Sequence, residues 1–370
     1  MNNKEQTKRN NRMALLRQIR WGGATRAELA REVGLSRAAV TLLTDELLQE
    51  GIIWERERQP SEGGRGGIRL GIRPSAYSIL GLDFCRDGVH LVVTDFRLQM
   101  LSHRFFPAAL GRERTLDAID AAVRDLNSEA PWLGAGIAAP GPVDLRMRRI
   151  LTPSGMEAWH GFSIDELEAR LSLPVTLQKD TDALAIAEKN TVYPHGSSLI
   201  LLADHGLGGA LIHQGRLFEG GGELGHITLD PHGERCSCGR RGCAERYASI
   251  PATLRAARER GLAVGWPTLC AHATDGDAVA LEVLERQIDA LTSVVLNAVN
   301  LLEPDRILLE GELSMAWSMI APRMQKRLQR EAFTPHGRRI RVLPSGLPTH
   351  ARAYAAASLV LENYFSGEEI

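Results

Sequence analysis

The sequence predicts an α/β body preceded by a small, mainly helical domain. From residue 78 onward, short apolar strands alternate with helical patterns, the order that places helices on the faces of a sheet. The 370 residues suffice for two or three domains with well-filled cores. Residues 1–75 carry 14 Lys and Arg against 9 Asp and Glu, whereas the remainder carries 30 against 36. A basic head on an acidic body favours a polyanionic partner for the head.

The head contains three helical patterns. Residues 12–21 have apolar side chains at helical spacing, and a glycine pair follows. Thr25 and Glu28 form a capping-box signature that predicts the start of a second helix. Ser36 caps a third, with a buried stripe that includes Val40, Leu43 and Leu47. Two short helices joined by a glycine-containing turn are typical of a helix-turn-helix, whose second helix enters the DNA major groove.

A winged hairpin is predicted next, from a strand at 52–55, a glycine-rich segment at 62–67 and a strand at 68–70. We expect base contacts from the third helix, phosphate contacts from residues near the helix starts, and a minor-groove contact from the wing tip. The predicted DNA-binding residues are Arg26, Ser36, Arg37, Ala38, Thr41 and Arg65. The alternative is a protein-binding or dimerisation module, because helix-turn-helix geometry is not exclusive to DNA. Pro74 and Ser75 mark the linker, so the predicted head is 1–74.

The body shows further strands and helices in alternation. Strands are predicted at 78–83, 89–95, 100–106, 175–178, 198–203 and 210–213, and residues 133–144 are predicted to be a strand running into a tight turn. Helices are predicted at 115–127, from Asp180 onward, and near 277–302 and 316–331.

Four side chains predict a zinc site. Cys236, Cys238 and Cys243 lie within eight residues, and His226 lies upstream. Thiolate and imidazole are the ligands of tetrahedral structural zinc, so one structural Zn²⁺ per chain is expected. The alternatives are a chance cluster or a disulfide. The chain opens without an apolar signal segment and has no stretch of ~20 apolar residues, which predicts a cytoplasmic protein without membrane insertion, where disulfides rarely persist.

Two carboxylates flank the predicted zinc ligands. Glu223 lies three residues before the histidine, and Glu245 lies two residues after the last cysteine. Metal binding would hold both carboxylates in place, and paired carboxylates can accept hydrogen bonds from the vicinal hydroxyls of a sugar. The other two cysteines, Cys85 and Cys270, are expected to be buried apolar side chains.

Taken in order, these motifs resemble the ROK family of repressors and sugar kinases. The resemblance covers essentially the whole chain, and its most specific part is the segment from Glu223 to Glu245. It implies an actin-like, hexokinase-like (ribonuclease H-like) two-lobe body behind an all-α winged helix-turn-helix domain. The smaller α/β lobe would comprise 75–182, completed by a C-terminal helix at 352–365. The larger lobe, with the zinc loop, would comprise 183–351.

The resemblance also implies roles for individual residues. The histidine and the three cysteines would bind zinc, and Glu223, His226 and Glu245 would lie at the sugar. Asp180 stands where the family's kinases keep the catalytic base, preceded by Lys179 where the family usually has asparagine. Ser154 stands where an asparagine binds sugar. The alternative for Asp180 is a helix cap, a role compatible with sugar contact.

The nucleotide-binding motifs of the family's kinases are altered in this chain. Residues 83–87 read Asp-Phe-Cys-Arg-Asp where the kinases have Asp, a glycine pair and Thr. Asp204 and His205 replace the usual Gly and Thr, and 309–312 interrupts a glycine run. Because phosphate loops need close backbone amides, we expect these side chains to exclude ATP, those of Phe84, Cys85 and Arg86 by filling phosphate space.

The sequence therefore predicts a sugar-responsive transcriptional regulator, most simply a repressor, rather than an enzyme. Its partners would be operator DNA, a sugar effector in the cleft between the lobes, and a second copy in a homodimer or larger homo-oligomer. Asp180 would repel a phosphate at the hydroxyl that it faces, so an unphosphorylated sugar is expected. The alternatives are an active sugar kinase with a DNA-binding head, and a regulator controlled by docking to a transport protein.

Overall fold

The computed structural model describes residues 3–20, 22–56, 67–126, 130–218 and 222–367. They form two units, one of Met1–Ala183 with Arg352–Ile370 and one of Leu184–Ala351. The first unit contains the helical head and one α/β lobe, and the second contains the cysteine-rich loop. The domain limits at 74 and 182 stay a prediction.

The head is a helix-turn-helix with a small antiparallel sheet in the order β1-β3-β2. Its elements are α1 (Asn3–Arg20), β1 (Ala24–Thr25), α2 (Arg26–Val33), α3 (Arg37–Gln49), β2 (Ile53–Glu55) and β3 (Arg69–Ile72). The capping box is confirmed, because Thr25 Oγ1 accepts from Glu28 N and Glu28 Oε2 accepts from Thr25 N. Ser36 caps α3 by accepting from Ala39 N at 3.2 Å. The glycine-rich wing segment at 62–66 lies outside the described residues.

The buried side of α3 consists of Val40, Leu43, Thr44 and Leu47. The three apolar members were predicted, and Thr44 was not. The first helix begins well before the predicted residue 12, because the polar residues of its early turns pair with α3 instead of contributing to an apolar stripe. Lys8, in these early turns, forms an ion pair with Glu46 of α3 at 2.8 Å, and Arg12 also pairs with Glu46. Such exposed pairs each contribute about 0–1 kcal/mol, so the apolar side of the head supplies most of its stability.

The lobe of the first unit is a mixed five-stranded sheet in the order β11-β7-β4-β5-β6. Its elements are β4 (Ser78–Cys85), β5 (Gly88–Asp95), β6 (Met100–Pro107), α4 (Arg112–Asp125), β7 (Trp132–Ala139), β8 (Val143–Asp144), β9 (Arg149–Ile150), β10 (Phe162–Ser163), α5 (Ile164–Leu171), β11 (Val175–Lys179) and α6 (Asp180–Thr191), which continues into the second unit. One sheet face packs on α4 and α5 through Leu80, Leu82 and Phe84. Strands β4 to β6 are antiparallel, and β7 and β11 are parallel to β4.

The second unit repeats this connectivity in a sheet of order β14-β13-β12-β15-β16. Its elements are β12 (Ser198–Ala203), β13 (Leu207–His213), β14 (Arg216–Leu217), α7 (Glu245–Ala248), α8 (Ile250–Glu259), α9 (Trp266–Thr274), α10 (Ala278–Leu302), β15 (Arg306–Glu310), α11 (Trp317–Glu331) and β16 (Arg341–Pro344). Here too an antiparallel series, β12 to β14, is followed by two strands parallel to the first. Two lobes with the same strand order confirm the predicted two-lobe, ribonuclease H-like body. Helices α8 and α9 were not predicted.

The last helix, α12 (Ala351–Ser366), covers the other face of the first unit's sheet. Glycines allow this close approach, because a side chain at Gly81 or Gly136 would clash with the carbonyl oxygen of Ala353 or Ala356. Its C-terminal end meets the head, where Arg9 donates to the Gly367 carbonyl at 2.8 Å. Cations at a helix C-terminus interact favourably with the orphan carbonyls, so this contact fixes the head to the lobe.

In the parts of the chain that are described, none of the helices is both long enough and apolar enough to span a bilayer.

Candidate functional site

The cysteine-rich loop is folded by its own backbone hydrogen bonds. Cys236 N donates to the Arg240 carbonyl at 2.8 Å, and Gly239 N donates to the Cys236 carbonyl at 3.1 Å. Gly239 has φ 90°, in the left-handed region that favours glycine. The resulting tight turn brings Cys238 back toward Cys236 before the chain runs on to Cys243.

The four predicted metal ligands converge. The Cys236 Sγ lies 3.7 Å from His226 Nδ1, and the Cys238 Sγ lies 3.5 Å from the Cys243 Sγ. One ligand atom from each of the four residues lies within 4.8 Å of the other three. Bonds of ~2.3 Å to sulfur and ~2.1 Å to nitrogen place tetrahedral ligands roughly 3.4–3.8 Å apart. The cluster therefore fits zinc, and its sulfurs lie far beyond the ~2.05 Å of a disulfide.

The histidine is positioned by a short helical turn, Leu224–His226. A side chain at Gly225 would clash with the carbonyl oxygen of Leu207, so only glycine lets this turn lie against β13. Arg240 donates to the His226 carbonyl at 3.3 Å and to Thr228 Oγ1 at 2.7 Å. The cysteine loop and the histidine turn are thus tied together by protein contacts.

The two flanking glutamates stand on connected segments. Glu245 opens α7, and its Oε2 accepts a hydrogen bond from Leu207 N at 3.1 Å. The preceding Ala244 N donates to the Ile227 carbonyl at 2.8 Å, which joins the start of α7 to the histidine turn. Glu223, directly before that turn, is exposed. The metal loop therefore positions both carboxylates, and one oxygen of Glu245 also holds the loop at 206–207.

Asp180 lies where β11 gives way to α6. Its Oδ1 accepts from Thr181 N at 2.7 Å, so part of the carboxylate engages the first turn of the helix, as in the capping alternative. Burial raises the pKa of Asp180 to about 7, and the positive charge of Arg352 opposes that increase. A carboxylate with this pKa is suited to hydrogen bonding with neutral hydroxyls near neutral pH. Its role in sugar binding stays a prediction.

Ser154 is exposed in a loop of the first unit. Its carbonyl accepts a hydrogen bond from the Arg86 guanidinium at 3.2 Å. Arg86 also lies against Gly155, where a side chain would meet the guanidinium. The loop that carries Ser154 is therefore anchored by one of the residues that replace the kinase glycines.

Residues 83–87, which stand at the first nucleotide-binding motif of the kinases, form the end of the hairpin between β4 and β5. Phe84 is fully buried, with its ring 4.6 Å from the Trp159 ring, so it does not occupy phosphate space as the sequence suggested. Alternation along β4 explains this difference, because Phe84 points to the α4–α5 face and Asp83 and Cys85 point to the opposite face. Arg86 and Asp87 make the turn in place of small residues.

Residues 204–205 and 309–312, at the other two nucleotide-binding motifs of the kinases, contact each other within the second unit. Asp204 Oδ1 accepts a hydrogen bond from Glu312 N at 2.6 Å. Glu310 is buried beside Glu188, and burial, with Glu188 adding to the effect, raises the pKa of Glu310 to about 8. Ser345 donates to Glu188 Oε1 at 2.8 Å. Glu188 Oε2 and Glu310 Oε1 are buried without a hydrogen-bond partner among the described residues, so this acidic pair is only partly satisfied within the protein.

The predicted DNA-contacting residues of α3 share one exposed surface. Ser36, Arg37, Ala38 and Thr41 are all exposed, opposite the buried side of the helix. Thr41 Oγ1 donates to the Arg37 carbonyl at 2.9 Å. These residues have small side chains apart from Arg37, which carries their one positive charge, a composition compatible with a major-groove contact.

Arg26 has partners within the head. Its guanidinium lies 3.0 Å from Asp45 and 3.1 Å from Glu55 and donates to Thr44. This network ties α2 to α3 and β2, so a phosphate contact would require Arg26 to leave these partners. Arg65, the predicted wing-tip contact, lies outside the described residues.

Two ionisable side chains near these motifs were not predicted. Arg352, at the start of α12, forms an ion pair with Asp83 at 3.1 Å. Glu188 lies in the middle of α6, facing Glu310. Both contacts join residues more than 100 positions apart, so no local spacing indicates them. Arg352, a charged residue in a largely apolar helix, was a sequence signal for the first contact, whereas α6 carries several charged residues and does not single out Glu188.

The fold and the metal loop define a protein of the two-lobe, sugar-kinase-like class with an added helix-turn-helix head. The chain belongs to the ROK family, whose model matches residues 79–363. A winged helix-turn-helix DNA-binding model matches residues 9–53.

Relatives over nearly the full length are named as regulators. The xylose repressor of Bacillus spizizenii is 25% identical over 371 residues, covering 96% of each chain. The DNA-binding transcriptional dual regulator NagC of Escherichia coli is 27% identical over 391 residues, covering 99% of this chain and 95% of the relative.

Two solved structures that match the chain are a regulator and a kinase. A ROK family transcriptional regulator, described as a homologue of the E. coli MLC protein, aligns with TM-score 0.84 and 24% identity over 98% of this chain and 97% of its own. A ROK family glucokinase from Streptomyces griseus, in complex with glucose and AMPPNP, aligns with TM-score 0.67 and 26% identity over 76% and 98%. The regulator thus shares the head and the body, whereas the kinase covers a smaller part of the chain.

Proposed function

We propose that this protein is a sugar-responsive transcriptional repressor that binds operator DNA as a homodimer. The observation that carries the proposal is the joint presence of an exposed α3 surface and an ordered metal loop with flanking carboxylates. The named relatives support the proposal, since both are named as regulators and match nearly the whole of this chain. A dimer would present two α3 helices to successive major grooves of a pseudo-palindromic operator.

Glu223, His226 and Glu245 are assigned to the sugar. Carboxylates accept hydrogen bonds from neighbouring hydroxyls, and charge-assisted bonds of this kind are roughly twice as strong as neutral ones. The sequence adds Asp180 and Ser154, which lie in the first unit. Because Asp180 would place negative charge beside a sugar phosphate, the proposed effector is an unphosphorylated sugar.

One zinc ion per chain is assigned to His226, Cys236, Cys238 and Cys243. When bound, the ion supplies a fourfold crosslink rather than chemistry on the sugar. The residues of the loop do the rest: Arg240 holds the histidine turn, and Ala244 ties the turn to α7. The role proposed for the metal is to hold the carboxylates of Glu223 and Glu245 in fixed positions.

Phosphoryl transfer is not part of the proposed function. Arg86 anchors the loop at Ser154, and Asp204 holds Glu312 N, so two segments that would need to wrap a triphosphate have contacts of their own. A coupled assay for sugar-dependent ATP consumption tests this. We expect no turnover with any hexose, pentose or N-acetylhexosamine, whereas about 1 per second, ordinary for an enzyme, would establish a kinase with a DNA-binding head.

Helix α12 offers a route from the first lobe to the head. Its first turn holds Asp83 through Arg352, and its last residues accept hydrogen bonds from Arg9 and Arg17 of α1. A ligand that shifts this rigid helix therefore shifts the base of the head. Coupling between two such sites typically amounts to about 1–3 kcal/mol, or 5- to 150-fold in operator affinity.

Calorimetric titration with matched sugars and sugar phosphates tests the effector assignment. The expected result is binding by an unphosphorylated sugar and weaker or absent binding by its phosphate. Tighter binding by the phosphorylated partner would overturn the role given to Asp180.

A further inference from the structure

A second group of metal-ligating side chains lies in the first unit, away from the cysteine loop. Asp83, Cys85 and His90 each present one ligand atom, and the three atoms lie within 4.8 Å of one another. Nothing in the relatives' names or in the assigned zinc site accounts for this cluster. It occupies the hairpin that replaces the first kinase phosphate motif.

Strand register explains why these residues meet. Asp83 pairs directly with His90 across β4 and β5, and Cys85 lies two residues beyond Asp83 on the same side of the sheet. On β6, His103 lies two residues before Phe105, the direct partner of His90, so it faces the same side. Four potential ligand side chains thus share one sheet face near the start of α12.

Only one of the two carboxylate oxygens of Asp83 is paired with another of the described residues. Its Oδ2 receives the Arg352 guanidinium at 3.1 Å, and its side chain is 5% exposed. The buried Oδ1 has no hydrogen-bond partner among the described residues. A buried carboxylate oxygen without a partner destabilises the fold, and a cation beside it would remove that cost. An arginine on the other oxygen is the kind of outer contact that orients metal-binding carboxylates.

The imidazole of His90 has a similar outer contact. Its Nδ1 lies 3.0 Å from His103 Nε2, so one ring donates to the other. When His90 Nδ1 donates, His90 Nε2 carries the lone pair that a metal requires. Metal-ligating histidines commonly have their second nitrogen fixed in this way, and His103 would set the tautomer.

Cys85 completes a mixed oxygen, nitrogen and sulfur donor set. Its thiol lies 3.4 Å from the Gly88 carbonyl, and burial, together with the charge of Asp83, raises the pKa of Cys85 to about 11.

We propose that Asp83, Cys85 and His90 form a second transition-metal site, suited to Zn²⁺, with His103 as a positioning residue. The donor set matches the borderline-soft preference of zinc, and three protein ligands leave one coordination position for water or a small ligand. Binding replaces the Cys85 S–H bond with a sulfur–metal bond and releases one proton to solvent, with no change of oxidation state.

Metal stoichiometry of the full chain tests this proposal. The protein would be stripped with a chelator under reducing conditions, reloaded with Zn²⁺ and freed of excess metal by gel filtration, and zinc per chain would be measured by elemental analysis. We expect two equivalents for the unmodified protein and one for Cys85→Ala or His90→Gln. Cys270→Ala is the matched control, because Cys270 lies outside the cluster and, like Cys85, has a pKa raised by burial, and it should keep two.

Alkylation of the unmodified chain provides a readout that does not depend on a variant folding. Peptide mass mapping should show Cys85 labelled by iodoacetamide in the stripped protein and protected after zinc is restored. One equivalent of zinc in the unmodified protein would overturn the proposal. Two equivalents in both the unmodified protein and Cys85→Ala, or equal labelling of Cys85 with and without zinc, would overturn it as well.

Discussion

The cysteine loop and the segments at the kinase nucleotide positions differ in where their polar side chains are directed. In the loop, His226 and three cysteines converge on one point, a geometry that fits a bound metal ion. In the altered segments, Asp204 holds a backbone amide and Glu310 turns inward to Glu188. One region brings four potential metal ligands together, whereas the acidic groups named in the other contact the protein's own backbone or each other.

This difference bears on which of the two ligand sites of a kinase-like body, the sugar site or the nucleotide site, is still used. Side chains that converge without a protein partner are costly to maintain, because buried polar groups left unpaired destabilise a fold. Side chains that pair internally stabilise the lobe but block a loop from closing on phosphate. The difference between the two regions therefore favours ligand sensing over phosphoryl transfer.

The largest effect is expected from the metal loop. Replacing Cys243, which is fully buried, with Ala should abolish binding at this loop and lower the thermal midpoint strongly, since structural zinc contributes on the order of 10 kcal/mol in small zinc domains. Elemental analysis and calorimetric unfolding would measure both. Cys270→Ala, a buried cysteine outside the loop, is the control. An unchanged midpoint together with unchanged zinc content would show that the convergence has no structural role.

The next effect concerns sugar binding. Glu245→Gln keeps the side-chain shape but removes the charge, so sugar affinity should fall by about 1–3 kcal/mol, roughly 5- to 150-fold, as expected for a hydrogen bond to a charged group. Isothermal calorimetry measures the loss, and operator binding without sugar should not change. Glu259→Gln, an exposed glutamate on α8, should leave the sugar affinity as it was. Equal affinities for both variants and the unmodified chain would remove Glu245 from the site.

A third prediction tests the head. Arg37→Ala removes a cation from the exposed side of α3 and should weaken operator binding by about 1–3 kcal/mol if the arginine reads a base. A phosphate contact would instead weaken all sequences alike and reduce the salt slope by about one. Arg114→Ala, an exposed arginine of α4, is the matched control. No loss of DNA affinity in Arg37→Ala would favour the protein-binding alternative for the head.

The smallest effect is a pH dependence of stability. The folded chain holds the Glu310 proton up to about pH 8, whereas an unperturbed glutamate releases it near 4.5. The folded state therefore binds more protons in that range, and stability falls as the pH rises through it. Glu310→Gln should flatten this slope, raising stability relative to the unmodified chain by on the order of 1–2 kcal/mol at pH 8 and by less at pH 5.

Chemical denaturation at the two pH values measures the Glu310 effect. The neighbouring Glu312 is exposed, so Glu312→Gln should reproduce the unmodified slope. A Glu310→Gln variant with the same pH dependence as the unmodified chain would show that the glutamate pair does not share a proton.

The sequence predicted the elements whose signals are local. The Thr25–Glu28 capping box, the α3 stripe and the Cys–His cluster each depend on spacing within one segment, and each is present in the structure. The inward orientation of Phe84 was misjudged, because its side of the sheet depends on strand register rather than on motif alignment. The Asp83–Arg352 and Glu188–Glu310 contacts could not be predicted, since they join distant segments through tertiary packing.

On the proposed function, sugar binding in the body changes the affinity of the head for DNA, and no phosphate is transferred to the sugar. A duplex selected by the purified protein from a randomised library would be titrated by fluorescence anisotropy, with and without the sugar that binds in calorimetry. We predict an operator affinity that falls 5- to 150-fold with saturating sugar, as for coupling of about 1–3 kcal/mol. Identical affinities at saturating sugar, or conversion of that sugar to a phosphate when ATP is added, would contradict it.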